Sequence, residues 1–465
     1  MPRRSITPLL IGTFILRANG GAGTIIFGLF LAQLAAHTGN SINSIHVGLL
    51  SVVYFGTELV LAPFMGALSD RWHRRYFLIL GPLVGLIEVA LIPFVPFQNP
   101  LPYFLSLRLI SGTSSAITTP AVLGYLADYT SHDQSRRMRV MSFFELATSA
   151  GIAVGVVLGG FAWDRLGRYA FLLLASLYLI VILCMFLVPR VMQVIQQGNF
   201  RTVTKRYWRI IRTPRLFIFI PAWICINALL GVWIGSQLTF ILSRRHTDPH
   251  QLLMGSLSSS GSGHTLSLAL GAYVLFFGLC LLFWAFFLNR IPRLRLMLIS
   301  IAGVYLATIA LTGINHRGVG NDGLLLIWIP LLMVGIFAES SFAPAALAYL
   351  ADISEETARD RGLLMGLYSI FLGVGQLLGN GLGGLFAKTW GFDGLIILTM
   401  ALAFIALISL YILFRQERRL SYELKDSNDQ HDSVESIKDT GLKENVEESM
   451  KNTGLKENVG VQSRK

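Results

Sequence analysis

The feature that binds this chain most tightly is a recurrence of apolar runs of about 20 residues, each long enough to cross the hydrocarbon core of a bilayer. Twelve such runs stand at positions 8–35, 46–68, 76–96, 102–127, 139–162, 168–189, 214–242, 264–288, 294–314, 323–351, 362–387 and 392–414. In lipid every backbone amide and carbonyl must be satisfied within the spanning structure, so only helices and closed barrels cross. A barrel would show short alternating strands, whereas continuous runs predict helices. The expectation is an all-α membrane protein with twelve transmembrane helices. The first run, from Leu9 to Leu34, spans a bilayer and has no small-residue cleavage pattern after it, so it reads as the first span and not as a secretory leader.

The net charge of +12 carries no nucleic-acid signal, because the basic residues lie between apolar runs and not along one soluble face. Placing the N-terminus inside gathers about 20 Lys and Arg on the inner side against about six outside, the asymmetry expected of cytoplasmic loops. Both termini are therefore expected in the cytoplasm, with the chain in the cell membrane. Only 14% of residues are charged and 53% are hydrophobic, too apolar for water to be the main solvent. Cys184, Cys225 and Cys280 sit inside apolar runs with neither disulfide nor metal-ligand spacing. No phosphate-cradling GxxxxGK[ST], HExxH or GxSxG stands in the chain. Neither an enzyme nor a cofactor or metal protein is expected.

Four regions follow. Residues 1–189 form an N-terminal six-helix bundle, 190–213 a basic linker on the anionic inner leaflet, 214–414 a C-terminal six-helix bundle and 415–465 a disordered cytoplasmic tail. A shift of 224 positions lays Pro120–Asp128, PAVLGYLAD, over Pro344–Asp352, PAALAYLAD. The same register pairs Gly151, Gly155 and Gly159 with Gly375, Gly379 and Gly383, a stripe that lets neighbouring helices approach closely. Neither bundle encloses a polar path alone, but two related halves can rock about one between them. The glycine stripe serves as static packing, as a sliding seam for that motion, or as both.

Between the second and third runs stands Gly66–Arg75, GALSDRWHRR. It closely resembles the signature loop of the major facilitator superfamily, Gly-x-Leu-[Ala/Ser]-Asp-Arg-x-x-Arg-[Lys/Arg]. The resemblance implies two pseudo-symmetric six-helix bundles and transport by alternating access. It also implies a cytoplasmic gate in which Asp70 and Arg74 latch with Asp128. Gly66 and Arg71 belong to the same loop, while Arg137, Asp352 and Arg361 fill related places. The second-half copy reads FLNRIPRLR, without the glycine and the acid. The segment LSLRLISGTSSA resembles the Arg-x-x-x-Gly element of proton-coupled drug exporters, with Arg108 as its key member. Val156 stands where their glycine motif has proline, and Leu16-Arg17 where they often carry Leu-Asp.

Ionisable side chains inside spans are costly and usually face a partner or a water-filled cavity. Arg17, Glu58, Glu88, Arg108, Glu145 and Glu339 are of this kind. Glu58 or Glu339 could take up and release a proton as the path opens to each side, or Glu58 could form a fixed pair with Arg17 or Arg108. Glu88 reads as a structural partner and Glu145 as part of the gate. Asn19, Tyr54, Asn227, Trp233, Gln237, Gln376 and Asn380 could line the path, each with an interhelical hydrogen bond as the plainer role. The reading is a monomeric secondary transporter that exports amphipathic small molecules or drugs, with protons as the coupling ion. Rival readings are an uptake symporter for a sugar or organic anion, and a receptor that kept the fold without transport.

Overall fold

A computed structural model describes residues 6–37, 42–96, 98–130, 134–189, 211–244, 250–258, 263–287, 291–318, 320–356 and 361–452. Side chains are described for these apart from 134–138, 142, 285, 287, 351, 354–356, 361–369 and 420–452. The basic linker over 190–213 lies outside the described residues but for 211–213.

The first half contains α1 (Thr7–His37), α2 (Ser44–Arg71), α3 (Arg74–Leu91), α4 (Pro100–Tyr129), α5 (Gln134–Leu166) and α6 (Ala170–Leu187). The second contains α7 (Pro214–Ile234), α8 (Ser236–Ser243), α9 (Gly263–Phe287), α10 (Arg293–Asn315), α11 (Leu325–Glu339), α12 (Phe342–Glu356) and α13 (Arg361–Asn452). Among the described residues nine helical stretches are long and apolar enough to cross a bilayer, and two of them, Arg139–Leu187 and Ile370–Arg419, run to 49 and 50 residues, long enough to cross twice. Adding α4, which is less apolar through its Ser, Thr and Arg108, recovers twelve crossings.

Two crossings are interrupted. The seventh breaks at Gly235 between α7 and α8, and the tenth breaks between α11 and α12. At the second break the Ser340 hydroxyl donates to the Phe337 carbonyl at 2.8 Å and the Ser341 hydroxyl to the Ala338 carbonyl at 2.7 Å. Such back-bonding supplies partners that the interrupted ladder loses. The eleventh and twelfth crossings share α13 and turn at Gly391, whose φ of 64° is open to glycine at no steric cost. Gln251 braces that corner, accepting from the Phe392 amide at 2.8 Å and donating to the Trp390 carbonyl at 3.1 Å.

The glycine stripes pack each half the same way. A Cβ at Gly151 would lie 2.5 Å from the Phe14 carbonyl oxygen of α1, and one at Gly375 2.7 Å from the Ile224 carbonyl oxygen of α7. Gly155 meets the backbone of Ala18 and Gly379 that of Ala228. Gly159 lies on Ala22, whereas Gly383 keeps ordinary distances of 3.9 Å or more from its neighbours.

Contacts between the halves gather at the end of the bundle away from Asp70. Gly160 of α5 lies against Gly263 and Ser267 of α9. Gly384 of α13 repeats the arrangement against Ser44 and Gly48 of α2. The Ser236 hydroxyl donates to the Thr24 carbonyl at 3.1 Å, and Gly28 meets Thr239. Asp164, near the end of α5, receives the Gly263 amide at 2.5 Å and the His264 amide at 2.9 Å, with the His264 ring 2.7 Å away. A carboxylate of one half thus caps a helix N-terminus of the other.

The end of α13 beyond Leu410 belongs to a second unit, and the side-chain packing described above lies within residues 1–410. The disordered cytoplasmic tail is expected from residue 415; the described backbone of α13 is helical as far as Asn452. Its Arg, Gln, Glu, Lys and Leu have good local helix propensity, a preference that low aromatic content does not report.

Candidate functional site

The sharpest charged geometry stands where α2 turns into α3. Arg74 holds Asp70 at 2.7 Å through Nη2 and Asp128 of α4 at 2.7 Å through Nε. Asp128 is nearly buried while Asp70 is half exposed, so one arginine bridges an outer and an inner acid. Gly124, one helical turn before Asp128, makes room: a Cβ there would occupy the guanidinium's place. Arg71 is exposed, and Gly66 faces Pro120. The side chains of Arg137 and Arg361 lie outside the described residues.

The second half has the same bridge in different letters. Arg293 pairs with Asp352 and donates to the Ala348 carbonyl at 3.2 Å. Arg74 and Arg293 stand 219 positions apart, as do Ser44 and Gly263, so α2–α3 and α9–α10 share one register. The partner of Asp352 is therefore Arg293 in the loop that sequence comparison read as decayed. The acid and glycine were lost there, but the arginine was kept.

Midway along the first half a polar cluster joins five helices. The Ser115 hydroxyl of α4 donates to Glu58 of α2 at 2.6 Å. Arg17 of α1 and the Tyr54 phenol share that neighbourhood, Arg17 acting electrostatically on Glu58. Beside it Arg108 lies 4.0 Å from Glu88 of α3, with its guanidinium 3.8 Å above the centre of the Phe27 ring. Tyr178 of α6 faces the same pair. Glu88 is buried, while Glu145 is exposed on α5. Ser115 and Tyr178 were not singled out from the sequence. A serine in the run SGTSSA and a lone tyrosine in span six carry little signal before their neighbours are known.

Of the other candidate path residues, several are engaged in packing. Asn19 donates to the Leu174 carbonyl of α6 at 3.0 Å, Asn227 to the Trp223 carbonyl at 2.7 Å and Asn380 to the Gln376 carbonyl at 2.9 Å. The plainer interhelical or local bond is what these amides make. Trp233 donates to the Thr399 hydroxyl at 3.0 Å. Gln237 is fully buried and its amide nitrogen and oxygen have no hydrogen-bond partner among the described residues. Glu339 ends α11. The arrangement suits a membrane machine that holds charges in compensated pairs on a polar route. Among the described residues no cluster of His, Cys, Asp and Glu could hold a metal.

The sequence model of the Major Facilitator Superfamily matches residues 9–263 and 251–445. The chain is 23% identical over 347 residues to Multidrug resistance protein 2 of Bacillus subtilis, covering 73% of this chain and 79% of that protein. It is 28% identical over 138 residues to the class B Tetracycline resistance protein of Escherichia coli, covering 30% and 33%. Among solved structures, nucleoside transporter NupG superposes with a TM-score of 0.68 at 16% identity, covering 88% of this chain and 98% of that one. A bacterial homolog of the human lysosomal transporter Spinster gives 0.65 at 14% identity, covering 90% and 98%. At such identities the structural likeness speaks for fold alone.

Proposed function

The chain belongs to the major facilitator superfamily, and from that premise we propose that it is a secondary active transporter that exports amphipathic small molecules in exchange for protons. The carrying observation is the Glu58–Ser115–Arg17 neighbourhood: a carboxylate within a span, hydrogen-bonded on one side and facing a cation on another. Such a group can exchange a proton when the path opens, because Ser115 and Arg17 hold its charged form while the rocking of the two halves changes its access to water. The efflux direction is supported by relatives named for multidrug and tetracycline resistance. The Asp70 end lies in the cytoplasm by the arginine excess of its connections. Contacts between the halves gather at the other end, the pattern of a transporter sealed on its outer side. The anion-symport reading loses its main support, since Arg108 already serves Glu88 and Phe27.

The test uses the full chain in proteoliposomes under an imposed proton gradient, with a lipophilic cation, a tetracycline and a quinolone as cargo. Glu58→Gln is expected to abolish gradient-driven accumulation while sparing cargo exchange. Unchanged accumulation would remove Glu58 from the coupling role. A wild-type chain that moves no member of the panel yet is thermally stabilised by one would favour the receptor reading.

A further inference from the structure

Several contacts between the halves at the outer end of the bundle are bare. Gly160 meets Gly263, Gly384 meets Gly48 and Gly28 meets Thr239, surfaces with little side chain to hold them. Asp164 and His264 are different. The carboxylate belongs to the first half and the imidazole to the second, with Nδ1 2.7 Å from Oδ2. The Gly263 and His264 amides donate to the same carboxylate, so the start of α9 is held there by ring and backbone together. The ring also stacks on Phe161 of α5, with 5.7 Å between centres and 30° between planes. By contrast, the pairs made by Arg74, Arg108 and Arg293 each stay within one half.

The chemistry of the two groups makes this hold depend on protons. An imidazole is the side chain whose charge ordinarily changes between about pH 5 and 8. A neutral His264 ring offers Asp164 an uncharged hydrogen bond, and a protonated one offers a charge-assisted bond roughly twice as strong. The His264 side chain is 46% exposed and that of Asp164 21%, so protons from outside reach the ring while the acid stays covered. The charged residues that follow Asp164 in the chain are Arg165 and Arg168, both exposed, the latter beside the Tyr169 ring. Leu29 of α1 meets Gly263, and Leu257 packs on the same cluster as Leu29 and Leu266; none of these carries a charge. The same end of the bundle holds a comparison: His316, just past α10, lies 3.0 Å from both oxygens of Asp393, but that pair is inside the second half.

Building on the transporter reading above, we propose that Asp164 and His264 form a latch on the outer mouth, which protonation of the ring from outside tightens and deprotonation loosens. Acid outside then slows outward opening. The sign is opposite to that of the coupling step at Glu58, which outer protons drive, so the two act separately on the same cycle.

The experiment places a reporter under the seam. Thr239 is buried where α8 meets Gly28 of α1, so the thiol of Thr239→Cys is reached from outside by a membrane-impermeant maleimide only when the halves part there. The full chain is used in right-side-out membrane vesicles at an outer pH of about 8 and of about 5.5, which bracket imidazole titration. Labelling rates are normalised to those of exposed Arg168→Cys, which corrects for thiol ionisation. Acidification is expected to slow labelling about two- to fivefold, the range a part-exposed ion pair supplies. Adding His264→Gln removes that slope while Asp164 still caps α9. Asp164→Asn speeds labelling at both pH values, because cap and pair are lost together. His316→Gln and Glu58→Gln keep the slope. A slope that survives His264→Gln, that vanishes in His316→Gln or Glu58→Gln, or that is absent from Thr239→Cys alone overturns the proposal. Should Asp164→Asn fail to fold, His264→Gln, at a half-exposed position, still decides. No labelling in any variant would overturn the latch together with the alternating access beneath it, whereas failure of the liposome panel alone sinks the cargo reading and leaves the labelling to be read without cargo or gradient.

Discussion

Replacing the seam glycines one at a time by alanine tests whether backbone approach is what they provide. At Gly155 the new Cβ would lie 2.8 Å from the Ala18 Cα, and at Gly379 2.9 Å from the Ala228 Cα, where ordinary contact begins at 3.4 Å. Because the carbonyl oxygens of Ala18 and Ala228 lie closer still, each helix pair must part by more than about 0.5–0.6 Å, or bend, over a contact that is backbone on one side and cannot rotate away. Overpacking of this kind costs about 1–3 kcal/mol. The same methyl at Gly383 meets nothing closer than 3.9 Å and is expected to cost almost nothing. Cys225 and Cys280 are buried and unpaired, so a thiol-reactive dye reports unfolding without a label. The expected order is equal, large losses of thermal stability for Gly155→Ala and Gly379→Ala, and wild-type behaviour for Gly383→Ala. Gly383→Ala as harmful as the others, or a harmless Gly155→Ala, would refute the claim that bare backbone contact sets these positions.

Two other outcomes are expected. Gly124→Ala places a methyl where the Arg74 guanidinium lies, so it should cost as much as Arg74→Ala, and the two together should couple by about 0.5–3 kcal/mol instead of adding; additivity in a double-mutant cycle would separate glycine from gate. Glu88→Gln strands the largely enclosed Arg108 charge within its span and should cost up to about 3–5 kcal/mol, with much of it recovered in Glu88→Gln/Arg108→Gln; a double variant as unstable as the single one would show that the pair is not what matters.

The pairing of Arg74 with Asp70 and Asp128 was legible because the signature loop encodes geometry. The seam was legible as a repeated spacing, but its partners Ala18 and Ala228 carry no signal in a one-chain reading. Arg293 was passed over because the second-half loop was judged by the glycine and acid it has lost, while the surviving arginine makes the bridge. For Asn19 and Asn380 the sequence left a path role and an interhelical bond both open, because residue type does not tell an amide facing a cavity from one tied to a neighbouring carbonyl. Ser115 was invisible for the opposite reason, being one hydroxyl among many in its span. In the tail, composition argued for disorder while local propensity argued for helix, and the two signals are independent.

The bare contacts of Gly160 with Gly263 and of Gly384 with Gly48 have a mechanical consequence. They lie near one tip of long rigid rods, and surfaces without side chains can roll on each other without unlocking. From Gly160 to Arg139, near the other tip of α5, is about 31 Å at 1.5 Å per residue. Taking that contact as a fulcrum, a tilt of about 10° sweeps the far tip through roughly 5 Å, close to one full pitch of a helix. A lever so long needs little angular travel, so the joint itself can stay nearly still while the opposite mouth widens.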